Sequence, residues 1–113
     1  MGYINRMDTV TLSALAEPNR MRIVELLRDG PRSVGEISRW LLMRQPQVSK
    51  HLRVLSEAGL VQAEPVAQQR VYHLQSAPFE ELDTWLGTFK HIWNKRLDAL
   101  EQYIEELQKS DEL

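Results

Sequence analysis

The chain has 113 residues, a formal net charge of −2 and no cysteine. Disulfides, thiolate metal sites and cysteine nucleophiles are therefore excluded, and no apolar run approaches the roughly 20 residues of a membrane span. A length of this order fits one domain, and without a hydrophobic signal core near the start the expectation is a cytoplasmic protein.

The charge is unevenly spread. Residues 31–55 carry Arg32, Arg39, Arg44, Lys50 and Arg53 against Glu36 alone, a net +4, whereas residues 100–113 come to −4. Such a dipolar chain can present a basic face to nucleic acid and keep its acids away from it.

The first predicted helix spans about residues 7–16, where Met7, Val10, Ala14 and Leu15 can share a face and Asp8 can cap. Glu17-Pro18 breaks it, because the residue before proline avoids the helical region. Pro18 opens a second helix to about residue 29, with Met21, Ile23, Val24, Leu26 and Leu27 as its apolar material, and Gly30-Pro31 ends it. Ser33 caps a third helix, and Glu36 completes the capping-box spacing. Val34, Ile37, Trp40 and Leu41 are its expected inward face.

Residues 42–45 turn the chain into a fourth helix, so that two helices joined by a short turn give the helix-turn-helix order. Pro46 suits the first turn of this helix and Gly59 the position just past its last. Val48, Leu52 and Leu55 form one apolar stripe at i, i+4 and i+7. The remaining faces carry Gln45, Gln47, Ser49, Lys50 and Arg53, with only Glu57 acidic. Glutamine can pair bidentately with adenine, serine can bond several base edges, and lysine can reach guanine or phosphate. On this helix alone, a plain amphipathic helix with a hydrophilic outside fits equally well.

Residues 60–64 read as a short strand interrupted by Pro65, and residues 70–74 alternate as a return strand. Residues 66–69 are then the tip of a hairpin, a wing, whose turn type is unspecified because Asn-Gly and Gly-Gly are absent. The last predicted element, about 79–109 after Ala77-Pro78, keeps helical period from Leu82 to Leu107 through Trp85, Phe89, Trp93, Leu97, Leu100 and Ile104. At 1.5 Å per residue it is about 45 Å long, more stripe than one small core covers. The excess calls for a second subunit. The expectation is a mainly α chain with a small β-hairpin, a winged helix-turn-helix in the order α-α-α-α-β-β-α. Residues 1–113 form one domain with dimerisation helices at about 7–16 and 79–109.

With that order in hand, the chain resembles the ArsR/SmtB-type winged-helix transcriptional repressors over roughly residues 9–107. Leu15-Ala16-Glu17-Pro18-Asn19-Arg20-Met21-Arg22-Ile23 is similar to the family's Leu-Ala-(Asp/Glu)-Pro-x-Arg-x-x-Ile motif. Val48-Ser49-Lys50-His51-Leu52-Arg53-Val54-Leu55, followed by Ala58-Gly59-Leu60-Val61, resembles its recognition helix. Trp93 and residues 96–101 resemble the last helix of a metal-free subgroup. The resemblance implies a homodimer that represses transcription from an inverted-repeat operator in double-stranded DNA. It implies that Gln45, Pro46, Ser49 and Lys50 approach base edges. It also implies that the wing, Gln68, Gln69 and Arg70, touches backbone or minor groove, and that pairing runs through the first and last helices. Arg44 replaces the family's frequent serine cap; the cap bond is lost, and the guanidinium is placed to reach a phosphate instead. Leu42 replaces a frequent turn glycine.

The DNA-facing set is thus Arg44, Gln45, Pro46, Gln47, Ser49, Lys50, Arg53, Gln68, Gln69 and Arg70. The dimer set is Met7, Val10, Phe89, Trp93, Leu97, Leu100 and Ile104. Metal-sensing members of the family use cysteines near the third helix or paired Asp/His ligands on the last. Here the histidines are three and scattered, His51, His73 and His91, which does not make a zinc site. No metal, no cofactor and no membrane partner is expected, while a small-molecule effector of unknown identity stays open. No nucleophile–base spacing or Gly-rich phosphate loop suggests an enzyme. The alternative from another class is a winged-helix protein-interaction module without an operator.

Overall fold

The computed structural model describes residues 6–111, with side chains from residue 9 onward. Its elements are α1 (Arg6–Leu15), α2 (Pro18–Leu27), β1 (Arg32–Ser33), α3 (Val34–Leu41), α4 (Gln45–Glu57), β2 (Val61–Val66), β3 (Gln69–Leu74) and α5 (Ser76–Asp111). Five helices accompany a three-stranded antiparallel sheet of order β1-β3-β2. The chain divides into two compact units, Met1–Glu81 and Leu82–Leu113.

In the first unit the Glu-Pro-x-Arg stretch joins two helix ends. The Glu17 carboxylate accepts from Arg20 N at 2.9 Å and so caps α2, while Pro18 fills a first-turn position that has no use for an N–H. The Arg20 side chain reaches backward. Its Nε donates to the Ala14 carbonyl at 2.6 Å, and a second guanidinium nitrogen donates to Ser13 at 3.4 Å. These carbonyls belong to the last turn of α1 and have no partner within that helix. On α1, Thr11 and Ala14 are buried and Val10 is exposed. Met7 falls among the residues whose side chains are not described.

The capping box at α3 is complete: Glu36 N donates to Ser33 Oγ at 3.2 Å, and Ser33 N donates to the Glu36 carboxylate at 3.0 Å. Within α3, Ile37 is fully buried and Val34 and Leu41 pack on the core, but Trp40 does not share their face. At about 100° per residue, Val34 and Leu41 fall on one side of Ile37 and Trp40 on the other. Trp40 is 64% exposed, with the Arg32 guanidinium 5.7 Å from its ring centre, a cation–π distance.

The α3–α4 turn runs through Leu42, a left-handed residue at φ 54°, ψ 44° that is 92% exposed. Met43 is buried behind it; its N–H donates to the Ser38 carbonyl at 3.1 Å, and the Ser38 hydroxyl donates back to the Met43 carbonyl. Helix α4 then presents Val48, Leu52 and Leu55 inward, all fully buried. It closes in a Schellman arrangement: Gly59 takes φ 77°, Leu60 N donates to the Leu55 carbonyl and Gly59 N to the Ser56 carbonyl, both at 3.0 Å. Ile23, Ile37, Leu52, Leu55, Leu60 and Val48 make the fully buried centre, and Tyr72, Leu74 and Phe79 pack around it.

The sheet corrects the strand expectations in three ways. A two-residue strand, β1, pairs Arg32 with Tyr72 and Ser33 with Val71. Strand β2 runs straight through Pro65, which pairs with Arg70; β2 is an edge strand, where a missing N–H disturbs no second neighbour. The tip shortens to Ala67 and Gln68, because Val66 and Gln69 already pair. Ala67 has φ 55°, the positive sign that tight hairpin turns require at their first position.

Helix α5 starts at Ser76, three residues before the expected boundary, with Pro78 buried in its first turn. In the second unit, Trp85 and Phe89 meet edge to face at 5.0 Å. Leu86, Phe89, Ile92, Trp93, Leu97, Leu100, Tyr103, Ile104 and Leu107 are all exposed.

Candidate nucleic-acid interface

Helix α4 is held by its apolar stripe, so its other faces are fixed outward. Arg44, Gln45, Pro46, Gln47, Ser49, Lys50 and Arg53 are all exposed, as are Gln68, Gln69 and Arg70 on the hairpin. The Arg44 side chain makes no cap bond, as its replacement of serine implied. The first backbone N–H groups of α4 therefore lack a side-chain acceptor there.

Two adjoining concavities lie between α4 and the hairpin. One is lined by Ser49, Arg53 and Ser56 from α4 and by Val61, Gln62, Ala63, Arg70 and Tyr72 from the strands, with Val34, Gly59 and Gln75. The other is lined by Ser33, Val34, Gly35 and Arg39 from the α3 region, Gln45 from α4, and Gln69 and Arg70 from β3. Val34 and Arg70 belong to both, and neither has a carboxylate in its lining. The structure thus brings Gln45, Ser49, Arg53, Gln69 and Arg70 to one groove. Arg44, Pro46, Gln47, Lys50 and Gln68 are exposed but line neither concavity.

The basic residues sort by what already holds them. Arg20 caps α1, and Arg22 donates to the Leu41 carbonyl at 3.0 Å, closing the end of α3. Arg53 pairs with Glu57 at 3.3 Å, one helical turn on, at the surface. The other close approaches of a side-chain nitrogen to a carboxylate among the described residues are His51–Glu17 at 3.7 Å and His73–Glu64 at 3.3 Å. Arg39, Arg44, Lys50 and Arg70 stand in none of them, so their charges are available to an external anion. Arg39 was missed from sequence; its only signal there was membership of the basic segment 31–55.

Hydrogen bonds from the backbone and side chain of Ser33 hold the Glu36 carboxyl below its ordinary value, aided by Arg32 and Arg39. Glu36 is thus charged near neutrality and engaged with the α3 cap. Among the described residues no three His, Asp or Glu side chains group as metal ligands. His51 is mostly buried beside Glu17, and His73 bridges the Leu74 carbonyl and Glu64.

The family profile described as "Bacterial regulatory protein, arsR family" matches residues 17–63. The HTH-type transcriptional regulator Rv2034 of Mycobacterium tuberculosis is 41% identical over 92 residues, covering 81% of this chain and 83% of that protein. The biofilm growth-associated repressor of Agrobacterium fabrum is 42% identical over 65 residues, covering 58% and 56%. In fold, the chain is similar to an ArsR-like transcriptional regulator from Rhodococcus sp. RHA1, at a TM-score of 0.71 and 24% identity over 85% of this chain and 91% of that one.

Proposed function

The chain belongs to the arsR family of bacterial regulatory proteins, and from that premise we propose that it is a homodimeric repressor that reads an inverted-repeat operator without a metal signal. It is a DNA-binding regulator of transcription and not an enzyme. The observation that carries the operator reading is the groove beside α4, whose polar lining consists of arginine, glutamine, serine and tyrosine groups with no carboxylate. Gln45, Gln47, Ser49 and Lys50 read base edges in the major groove. Arg44, Arg53, Arg70, Gln68 and Gln69 hold the backbone, and Pro46 sets the start of the reading helix.

One recognition helix covers too few base pairs for useful discrimination in a genome. Two helices related by a twofold axis can read successive major grooves, about 34 Å apart. The late stripe of α5, Phe89, Trp93, Leu97, Leu100 and Ile104, supplies the pairing surface. The five α5 side chains are about half exposed, so covering them is worth on the order of 5 kcal/mol per protomer, before association entropy is subtracted. Repression as the sign of regulation draws on the Agrobacterium relative's name. Metal independence draws on the absence of cysteine and on the three histidines, His51, His73 and His91, belonging to three different elements, α4, β3 and α5.

Selection of bound sequences from random duplex DNA tests this reading. Enrichment of an inverted repeat is expected; no enrichment would favour a winged-helix module that docks protein instead.

A further inference from the structure

Arg39 lies on α3, outside the helix and hairpin to which base and backbone contacts are assigned above. It is exposed and stands in no close ion pair among the described residues. Its Nη1 comes within 3.9 Å of the point a Cβ on Gly35 would occupy, and the Gln45 amide nitrogen within 3.8 Å of the same point. The two side chains therefore converge over Gly35. Gln69 and Arg70 of β3 line the same cleft.

Two arginines and two glutamines thus line a space whose lining holds no carboxylate, with the Arg39 guanidinium and the Gln45 amide meeting over Gly35. Glu36, the acid that Arg39 feels, is engaged in the Ser33 cap, and the Ser33 hydroxyl accepts from Glu36 N. A guanidinium has five N–H donors, no acceptor and a permanent charge. Two arginines lining one cleft raise its positive potential, which favours an anion there. The planar fork matches phosphate oxygens.

The geometry points to a phosphate-binding cleft at the junction of α3, α4 and β3, gripped by Arg39 and Arg70 and occupied by a phosphodiester of the DNA backbone. This rests on the DNA-binding reading above. A backbone phosphate is favoured over a free anion by continuity: the cleft shares Arg70 with the neighbouring concavity, which continues along α4 to Arg53. Arg39, Arg70 and Arg53 therefore follow one side of the recognition helix, as a strand passing beside it requires. A phosphate held beside Gln45 fixes the depth at which the start of α4 enters the groove, whatever the base sequence.

The test uses the full chain with Arg39→Gln, Arg39→Lys and, as a second site in the same cleft, Arg70→Gln. Each is titrated by fluorescence anisotropy against random duplex and against the selected operator over a salt series, with circular dichroism as the check on folding. Arg39→Gln should weaken both duplexes in parallel and flatten the slope of log affinity against log salt by about 0.9 per protomer. Arg39→Lys should keep most of the slope, and Arg70→Gln should behave as Arg39→Gln does. A scan of operators with single uncharged methylphosphonate linkages should find one position per half-site where wild type loses affinity and Arg39→Gln loses nothing further.

A folded Arg39→Gln with unchanged salt slope would overturn the cleft while leaving DNA binding intact. Failure of wild type to bind either duplex would instead remove the reading on which the cleft rests. A third arm titrates inorganic phosphate. Saturable binding abolished by Arg39→Gln, with the DNA slope unmoved, would assign the cleft to a free anion and overturn the phosphodiester.

Discussion

Replacing Leu42 with glycine should stabilise the protein. Leu42 holds the left-handed conformation at the helix-turn-helix corner, φ 54° and ψ 44°, which costs a residue with a Cβ roughly 1–2 kcal/mol. Its side chain is 92% exposed, so truncation forfeits almost no burial. Glycine brings back unfolded-state freedom, an opposing effect of roughly 0.5–1 kcal/mol. The net gain is about 0.5–1 kcal/mol, or a rise of a few degrees in Tm for a chain of this size. Urea unfolding at fixed temperature measures it as a higher midpoint with unchanged slope. Leu42→Val should move the other way, since a branched Cβ tolerates positive φ least. The turn keeps its angles in Leu42→Gly, so operator affinity should stay within about twofold, less than 0.5 kcal/mol. A Leu42→Gly protein less stable than wild type, or a Leu42→Val protein more stable, would refute the strain assignment.

A charge in the middle of the α5 stripe should separate the protomers: Leu97→Glu is expected to be a folded monomer, or a dimer weakened at least about a hundredfold, that no longer binds operator. Sedimentation with anisotropy decides it, and a folded variant still dimeric at nanomolar concentration would move the interface elsewhere. Gln45→Ala should lose roughly 1–3 kcal/mol on operator and little on random duplex, whereas Arg53→Ala should weaken both and reduce the salt slope by about one; an unchanged specific-to-random ratio in Gln45→Ala contradicts its role. The folded-state pKa of Glu36 is depressed, so its contribution is present above the ordinary value of 4.5 and disappears as pH falls through the lower folded value. Glu36→Gln should therefore be less stable than wild type near neutrality, with the gap closing in chemical denaturation as pH drops below 4.5. Chelator, zinc or arsenite should leave operator affinity within about threefold, and a stoichiometric metal that shifts it tenfold would contradict metal independence.

Much of the fold was readable because its signals are local. Pro46, Gly59 and the Val48–Leu52–Leu55 stripe carry their meaning within one helix, as do Ser33 and Glu36. What escaped depends on residues distant in sequence. Two residues at β1 have no period, and they become a strand only because β3 arrives beside them. Pro65 reads as a breaker until the sheet order makes β2 an edge. Trp40 looks like core by size, but the angular positions of Val34, Ile37 and Leu41 leave it on the far side of α3. The candidate interface divides the same way. The exposed polar faces of α4 follow from its apolar stripe, whereas Arg39 acquires its surroundings only when α3 and the hairpin converge on Gln45.

The Glu17–Arg20 arrangement makes three helices share one joint. The Glu17 carboxylate holds the first turn of α2 and touches His51 on α4, while Arg20, whose N–H it accepts, closes the last turn of α1. A polar route of two side chains therefore runs from the end of α1 to His51 of the recognition helix, beside the packed core. In linkage terms, whatever binds better to one setting of that joint is favoured by whatever else prefers the same setting, and by the same factor in each direction. The Glu-Pro-x-Arg motif thus adds polar ties among α1, α2 and the middle of α4 to the packing that Ala14, Ile23, Leu27 and Leu52 already provide.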